Sequence, residues 1–300
     1  MFEFRKIELS DKDSIVKRLA VSDLRGCEYS FANNVAWQRL NNSLICLYED
    51  HYILMGYDGN IPYILFPTGV KKDAEGKAKI IALFDELEVY FRSMGHELKV
   101  SSVLKEDIPW LKEVYGERVS FGFDRGSSDY IYNSADLIAL AGKKYHGKRN
   151  HIRRFMENNW SFEPMTADNI DECVLFTTEF YNNSGDDSES VVIEQYAIHT
   201  FLMNFGFLGL KGGILRVDGE IVGISIGEQL NSDTFVVHIE KARGDINGAY
   251  PMLCQQFAKM FAFGSRYINR EEDMGIEGLR KSKLSYHPVF LLDKYRACFK

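Results

Sequence analysis

The stretch from Leu44 to Phe66 reads as a meander of strands. LICLY, YILMGYD and NIPYILF are rich in β-branched and aromatic residues, and Asp58-Gly59 between the last two is a hairpin signal. The period then changes. Ile80, Ile81, Phe84, Leu87 and Phe91 recur at helical spacing, which predicts a helix from about Ala74 to Met94. A strand near Leu98 to Val103, a helix around Asp107 to Tyr115 and a strand near Asp129 to Tyr132 follow. Ser134 is an N-cap candidate before Ala135 to Leu140, and a helix is predicted over Lys144 to Asn158. Beyond a strand at Trp160 to Met165 come two helices, Asp168 to Asn182 and Val191 to Phe205, with a polar loop between them. Three strands, Gly209 to Val217, Glu220 to Leu230 and Thr234 to Ala242, precede a helix over Pro251 to Phe263. The end reads as a helix, Gly278 to Ser285, and one strand, Val289 to Phe299.

The segment Ile53 to Leu65 aligns without gaps on Gly213 to Ser225, with Asp58-Gly59 on Asp218-Gly219. The order of elements around the two hairpins suggests a duplicated unit. The chain has 300 residues, room for two modest domains, and we place the boundary at 133/134, giving domains 1–133 and 134–300.

Composition narrows the class. No run approaches the roughly 18 apolar residues of a membrane helix. The N-terminus, MFEFRKIELSDKD, lacks the apolar core of a signal peptide, so a cytoplasmic location is expected. Five cysteines, odd in number and widely spaced, fit reduced thiols better than a disulfide framework or a zinc site. A formal charge of −7 argues against nonspecific nucleic-acid binding by the whole surface, but not against a local basic patch.

Three segments carry candidate chemistry. The first is TFVVHIEKA, RGDINGAY and PMLCQQFAKMF, a strand, loop and helix. Strand alternation predicts Phe235, Val237 and Ile239 on one face and His238 with Glu240 on the other. A loop holding Arg243, Gly244, Asn247, Gly248 and Ala249 before a helix offers N–H groups to an anion, although Asp245 opposes one and an ordinary strand-to-helix turn has the same pattern. The second is GKKYHGKRNHIRRF, whose Lys144, Lys148, Arg149 and Arg153 would border a cleft and bind phosphate groups, or else form a solvated face neutralised by acids such as those of NREED. The third is NREEDMGIEGLRKSKLSYHP, in which Glu271 is a candidate base and Tyr286 a candidate acid, or in which a polar loop simply caps the last helix. No histidine sits at ligand spacing there, and no metal is expected. Cys254, in the first turns of a helix, is read as a buried structural thiol.

GKKYHGKRNHIRRF, HIEKARGDINGAYP and NREEDMGIEGLRKSKLSYHPVFLLDKY resemble an uncharacterised bacterial family related to the C-terminal catalytic domain of phosphatidylglycerol lysyltransferases. The resemblance implies an α+β fold: tandem acyl-CoA N-acyltransferase (GNAT) units, with mixed, mostly antiparallel sheets flanked by helices. A degenerate first unit and a working second unit are expected, each sheet splaying between its central strands. The implied activity is transfer of an acyl or aminoacyl group from acyl-CoA or aminoacyl-tRNA to an amine or hydroxyl. CoA or tRNA would be a substrate, with no tightly bound cofactor. Glu240 or Glu271 would serve as base, and N–H groups at a strand bulge would hold the oxyanion. The competing class is a noncatalytic module that docks RNA or an anionic membrane surface on its basic helix.

Overall fold

Two runs of strands interrupted by helices build two separate sheets. The structure, a computed structural model, describes residues 2–300, at Ser184 the backbone only. In chain order the strands are β1 (Leu44–Tyr48), β2 (His51–Asp58), β3 (Ile61–Leu65), β4 (Lys99–Leu104), β5 (Val119–Phe123), β6 (Asp129–Asn133) and β7 (Trp160–Pro164). They continue with β8 (Lys211–Val217), β9 (Glu220–Gln229), β10 (Thr234–Ala242), β11 (Tyr267–Asn269), β12 (Phe290–Leu292) and β13 (Lys294–Phe299). One sheet runs β1-β2-β3-β4-β13-β5 and the other β12-β6-β11-β10-β9-β8-β7. Each contains one parallel pair among otherwise antiparallel described pairs: β3 with β4, and β10 with β11. The mixed α+β architecture expected from the sequence is therefore present in both units.

The chain divides into one unit of Met1–Ser128 with Leu292–Lys300, and another of Asp129–Leu291. The division falls a few residues before the expected boundary, because β6 belongs to the second sheet. The run expected as one terminal strand is two, β12 and β13, in different sheets. β13 inserts between β4 and β5, so the last residues complete the first sheet. No local pattern encodes such a pairing, since its partners lie far away in sequence.

In the first unit the helix Ala74–Ser93 begins at Asp73, whose carboxylate accepts from the Gly76 N–H at 2.9 Å. Its stripe of Ile80, Phe84, Leu87 and Phe91 is fully buried with Phe66 and Phe299. In the second, the helix Ala249–Phe261 sends Met252, Leu253 and Phe257 into a core with Leu215, Val222 and Phe235. At roughly 1.5–3 kcal/mol for each large apolar side chain buried, these faces fix both helices to their sheets.

The two aligned hairpins turn differently. Asp218 and Gly219 both have positive φ and link Val217 to Glu220, as a type I′ turn requires. In the first hairpin the loop is Gly59-Asn60, between the paired Asp58 and Ile61, and of these Gly59 alone has positive φ. The gapless alignment is thus offset by one residue relative to the turns. No described helix is long and apolar enough to cross a membrane, and all five cysteines are free thiols.

Candidate active site

β10 pairs with β9 as Val236↔Glu228 and Val237↔Gly227, then resumes at Ile239↔Ile226. His238 is the extra residue of a β-bulge, and a bulge resets which residues face which side. Glu240 accordingly shares the side of Phe235 and Val237, lining a small cavity with Cys254 and Arg270. His238 turns the other way and stacks on Phe201, rings 5.2 Å apart and 11° from parallel. The expected pairing of His238 with Glu240 on one face is corrected by that single inserted residue.

A second irregularity opens the site. β10 and β11 pair at Thr234↔Tyr267, Phe235↔Ile268 and Val236↔Asn269, and there the ladder stops. From Val237 onward β10 keeps β9 alone as its partner among the described strands. Glu240 on one arm and Arg270, the first residue past β11, bridge the gap, with Arg270 Nη2 donating to Glu240 Oε1 at 2.8 Å. Both side chains are close to buried, 10% and 12% exposed. Arg270 lies 4.6 Å from the centroid of the Tyr286 ring, and Lys148 Nζ lies 3.7 Å from the same centroid. Tyr286 is fixed through its carbonyl, which accepts from Tyr145 Oη at 2.9 Å, and Lys283 Nζ donates to the carbonyls of Arg270 and Glu272. Burial pushes the Cys254 thiol up to about 12 and the Tyr286 phenol well above its usual range. Both stay protonated at neutral pH, so Cys254 presents no thiolate there.

The acids of NREED serve separate partners. Asp273 is fully buried, accepts both forks of Arg280 at 2.8 and 2.9 Å, and also binds Tyr130 Oη and the Gly275 N–H. Arg280 first of all, against the cost of burial, holds that carboxyl far below the usual range. Asp273 thereby anchors the start of the helix Glu277–Leu284. Glu271, held at a positive φ of 55°, accepts from His238 Nδ1 at 2.9 Å, while His238 Nε2 meets Glu228 at 3.1 Å. The four expected catalytic residues thus fall into two sets: Glu240 with Tyr286 in the gap, and His238 with Glu271 beyond the bulge.

Burial disfavours a charged His238, yet its hydrogen bonds to Glu228 and Glu271 raise it from 6.5 to about 9. A raised folded value means stability that is complete below about pH 6.5 and lost as pH rises through about 9. The urea midpoint of the wild type, minus that of His238→Gln, is expected to shrink between about pH 6 and about pH 10. Lys148 titrates nearby but is common to both proteins and cancels. A difference independent of pH would show that the ring is not charged at neutral pH.

The loop after β10 is less open to anions than its sequence implies. Arg243 is forked onto Asp245 at 2.6 and 3.2 Å, an exposed pair. Ala249 donates its N–H to Ile246, and Pro251 has none to give, which leaves few free donors at the helix start. Gly244 has a negative-φ backbone and open space around it. Gly248 has φ +86°, and a Cβ there would lie 2.2 Å from the His151 carbonyl oxygen, so its close contact is with the basic helix. Asn247 meets His151 Nδ1 at 2.9 Å on the same seam.

That basic helix is shorter than predicted, His146–Phe155, and buries Ile152 and Phe155, while Met156 is exposed. Arg149 donates to the carbonyls of Leu140 and Gly142 and so caps the preceding helix, and Lys144 pairs with Asp136 at 3.1 Å. Lys143, Arg153 and Arg154 are exposed and have no acidic partner among the described residues. Among the described residues no ion pair joins the basic helix to Glu271 or Asp273, which are engaged by His238 and Arg280. Arg270 is the site residue that sequence reasoning missed. Its signal was its position directly before the acids, at the end of a strand too short to register.

The sequence profile of the family described as phosphatidylglycerol lysyltransferase, C-terminal, matches residues 19–298. A structure of a conserved protein of unknown function from Bacteroides thetaiotaomicron is 38% identical, with TM-score 0.92 over 100% of both chains. L-PGS from Bacillus licheniformis has TM-score 0.67 at 15% identity, over 97% of this chain and 92% of that one. A tandem GNAT protein from the clavulanic acid biosynthesis pathway, 9% identical, has TM-score 0.51 over 99% and 98%. These last two likenesses speak for the fold. An uncharacterised protein of Mycoplasmoides gallisepticum is 24% identical over 196 residues, 63% of this chain and 61% of that relative's length. With two mixed sheets of the tandem GNAT kind and a profile match over nearly its whole length, the chain belongs to the phosphatidylglycerol lysyltransferase C-terminal family.

Proposed function

We propose that the protein transfers an acyl or aminoacyl group from an activated donor, aminoacyl-tRNA or acyl-CoA, to an amine or hydroxyl acceptor. The observation that carries this reading is the end of the β10–β11 ladder at Val236↔Asn269, with Glu240 and Tyr286 beyond it. An extended donor carbonyl would lie along the open edge of β10, whose N–H groups are suited to a developing oxyanion. Glu240 spends Oε1 on Arg270, and its Oε2 makes no hydrogen bond among the described residues. That oxygen would take the proton of the attacking amine or hydroxyl. The new bond joins the nucleophile to the carbonyl carbon, the carbon's bond to the ester oxygen or thioester sulfur breaks, and the leaving group takes a proton from the Tyr286 phenol, which regains one from the protonated Glu240, so that both groups end as they began. Holding both reactants in contact supplies roughly 7–11 kcal/mol of the barrier without covalent help.

The test is to follow the loss of a charged tRNA pool, and separately of acetyl-CoA, in the presence of lysine, glycerol phosphate and amine acceptors. Protein-dependent consumption of one donor is expected. Stability of both donors across all acceptors would sink the enzyme reading. The unpaired Lys143, Arg153 and Arg154 favour a second reading, an RNA-docking module. Substituting Arg153 and Arg154 by Gln would then lower the log–log salt slope of RNA retention by about 0.7 for each phosphate of a single strand that is no longer neutralised.

A further inference from the structure

Two cations meet at the ring of Tyr286, and the side chains around them supply one negative charge. Arg270 is nine-tenths buried, and its Nη2 takes the one carboxylate at hand, that of Glu240. Its Nη1 is buried and has no hydrogen-bond partner among the described residues. Lys148, half-buried, rests its ammonium on the ring 3.7 Å from the centroid and has no carboxylate or hydrogen-bond acceptor among the described residues. A buried guanidinium N–H left unpaired is destabilising, and a half-buried ammonium without a counter-ion adds to that. The neighbouring groups offer no remedy: Cys254 and Tyr286 are held neutral, and Lys283 spends its protons on two carbonyls.

We infer that Lys148 Nζ and Arg270 Nη1 together form a binding site for one singly charged oxyanion of a reactant, a phosphate or a carboxylate group. Both chemistries present acceptor oxygens to a guanidinium N–H and an ammonium at once. The site would set the register of that reactant against Glu240, since the guanidinium that binds the anion also holds the carboxylate. The uncompensated surroundings leave their mark on the lysine, which burial and the neighbouring Arg270 push down to about 8. Glu240 is the one carboxylate acting on it in the opposite direction. An anion seated beside it would favour the charged form and move that value back toward 10.5. The inference shares the gap with the transfer reading but is tested by binding alone, so either can fail without the other.

The experiment titrates Lys148 in the full chain by NMR of its Cε and Nζ, assigned by its disappearance in Lys148→Met. Inorganic phosphate, sodium acetate and sodium chloride are compared at equal ionic strength. Saturable binding of phosphate or acetate, with a rise in the Lys148 titration midpoint of at least one pH unit, is expected, and chloride should give neither. The better of the two oxyanions identifies the source, phosphate ester or carboxylate. Lys148→Met should lose the saturable stabilisation seen in thermal unfolding, and Arg270→Lys, which keeps the charge and removes the fork, should weaken it at least tenfold. Absence of saturable binding by both oxyanions, or binding retained in Lys148→Met, would overturn the inference.

Discussion

Gly248→Val is expected to destabilise the second unit by about 3 kcal/mol or more. Two costs combine. Valine at φ +86° sits in the left-handed region, roughly 1–2 kcal/mol unfavourable for a side chain with a Cβ and worse for a β-branched one. The added Cβ would also lie 2.2 Å from the His151 carbonyl oxygen and 3.0 Å from the Phe155 Cβ. The first of these is backbone within a helix and has no rotamer to escape into. The helix His146–Phe155 must therefore move off the start of the helix Ala249–Phe261, at about 1–3 kcal/mol for overpacking. Gly244→Val in the same loop is the control. Its Cβ meets nothing within 4 Å and its φ is ordinary, so a change within about 0.5 kcal/mol is expected. Urea unfolding of both variants checks the contrast, and equal losses would contradict it. A Gly248 variant that loses donor binding would then report a displaced basic helix, not a blocked phosphate.

That reassignment illustrates what the sequence conveys. The glycine and its loop were legible, because Gly before a helix has few uses. What needed Gly was not legible, because the contact comes from a helix about a hundred residues earlier. Local periodicity located the helix Ala74–Ser93 and the strands β1 to β3 within a residue or two, since one buried face imposes its period on the chain. It failed for β11, three residues long, and for β13, whose place depends on partners at Lys99–Leu104 and Val119–Phe123.

The site shows the same division. Glu240, Tyr286 and Lys148 were legible as chemistry, and the structure gathers them around Arg270. Their grouping was not, because a bulge is one residue without a sequence mark of its own here. Strict alternation put His238 beside Glu240, and the inserted residue sent it to Glu228 and Glu271 instead. The consecutive acids divide as well, Glu271 meeting His238 and Asp273 meeting Arg280. Which of them was structural depended on Arg280 and Tyr130, neither predictable as a partner of Asp273 from spacing alone.

Glu240→Gln is expected to lower transfer by about 10²–10⁴-fold while leaving donor binding and the fold in place. The fold should survive because the amide oxygen still accepts from Arg270 Nη2, at the 2.8 Å position now held by Oε1. Removing the partner altogether, as in Glu240→Ala, would strand a buried guanidinium and cost about 3–5 kcal/mol, so that variant would confuse stability with mechanism. Transfer should fall because the amide cannot take a proton from the attacking amine or hydroxyl, whereas the carboxylate can. The loss is expected in kcat with KM for the donor unchanged, since the interaction is made only as the proton moves. Glu271→Gln provides the opposite signature. Its carboxylate binds His238 on the far side of the bulge, so its loss should lower stability near neutral pH and spare turnover. Single-turnover rates and donor affinities for the two variants, with urea midpoints beside them, separate the roles. If Glu271→Gln stops transfer and Glu240→Gln does not, the proton leaves through His238, and the reacting groups meet on the opposite face of β10.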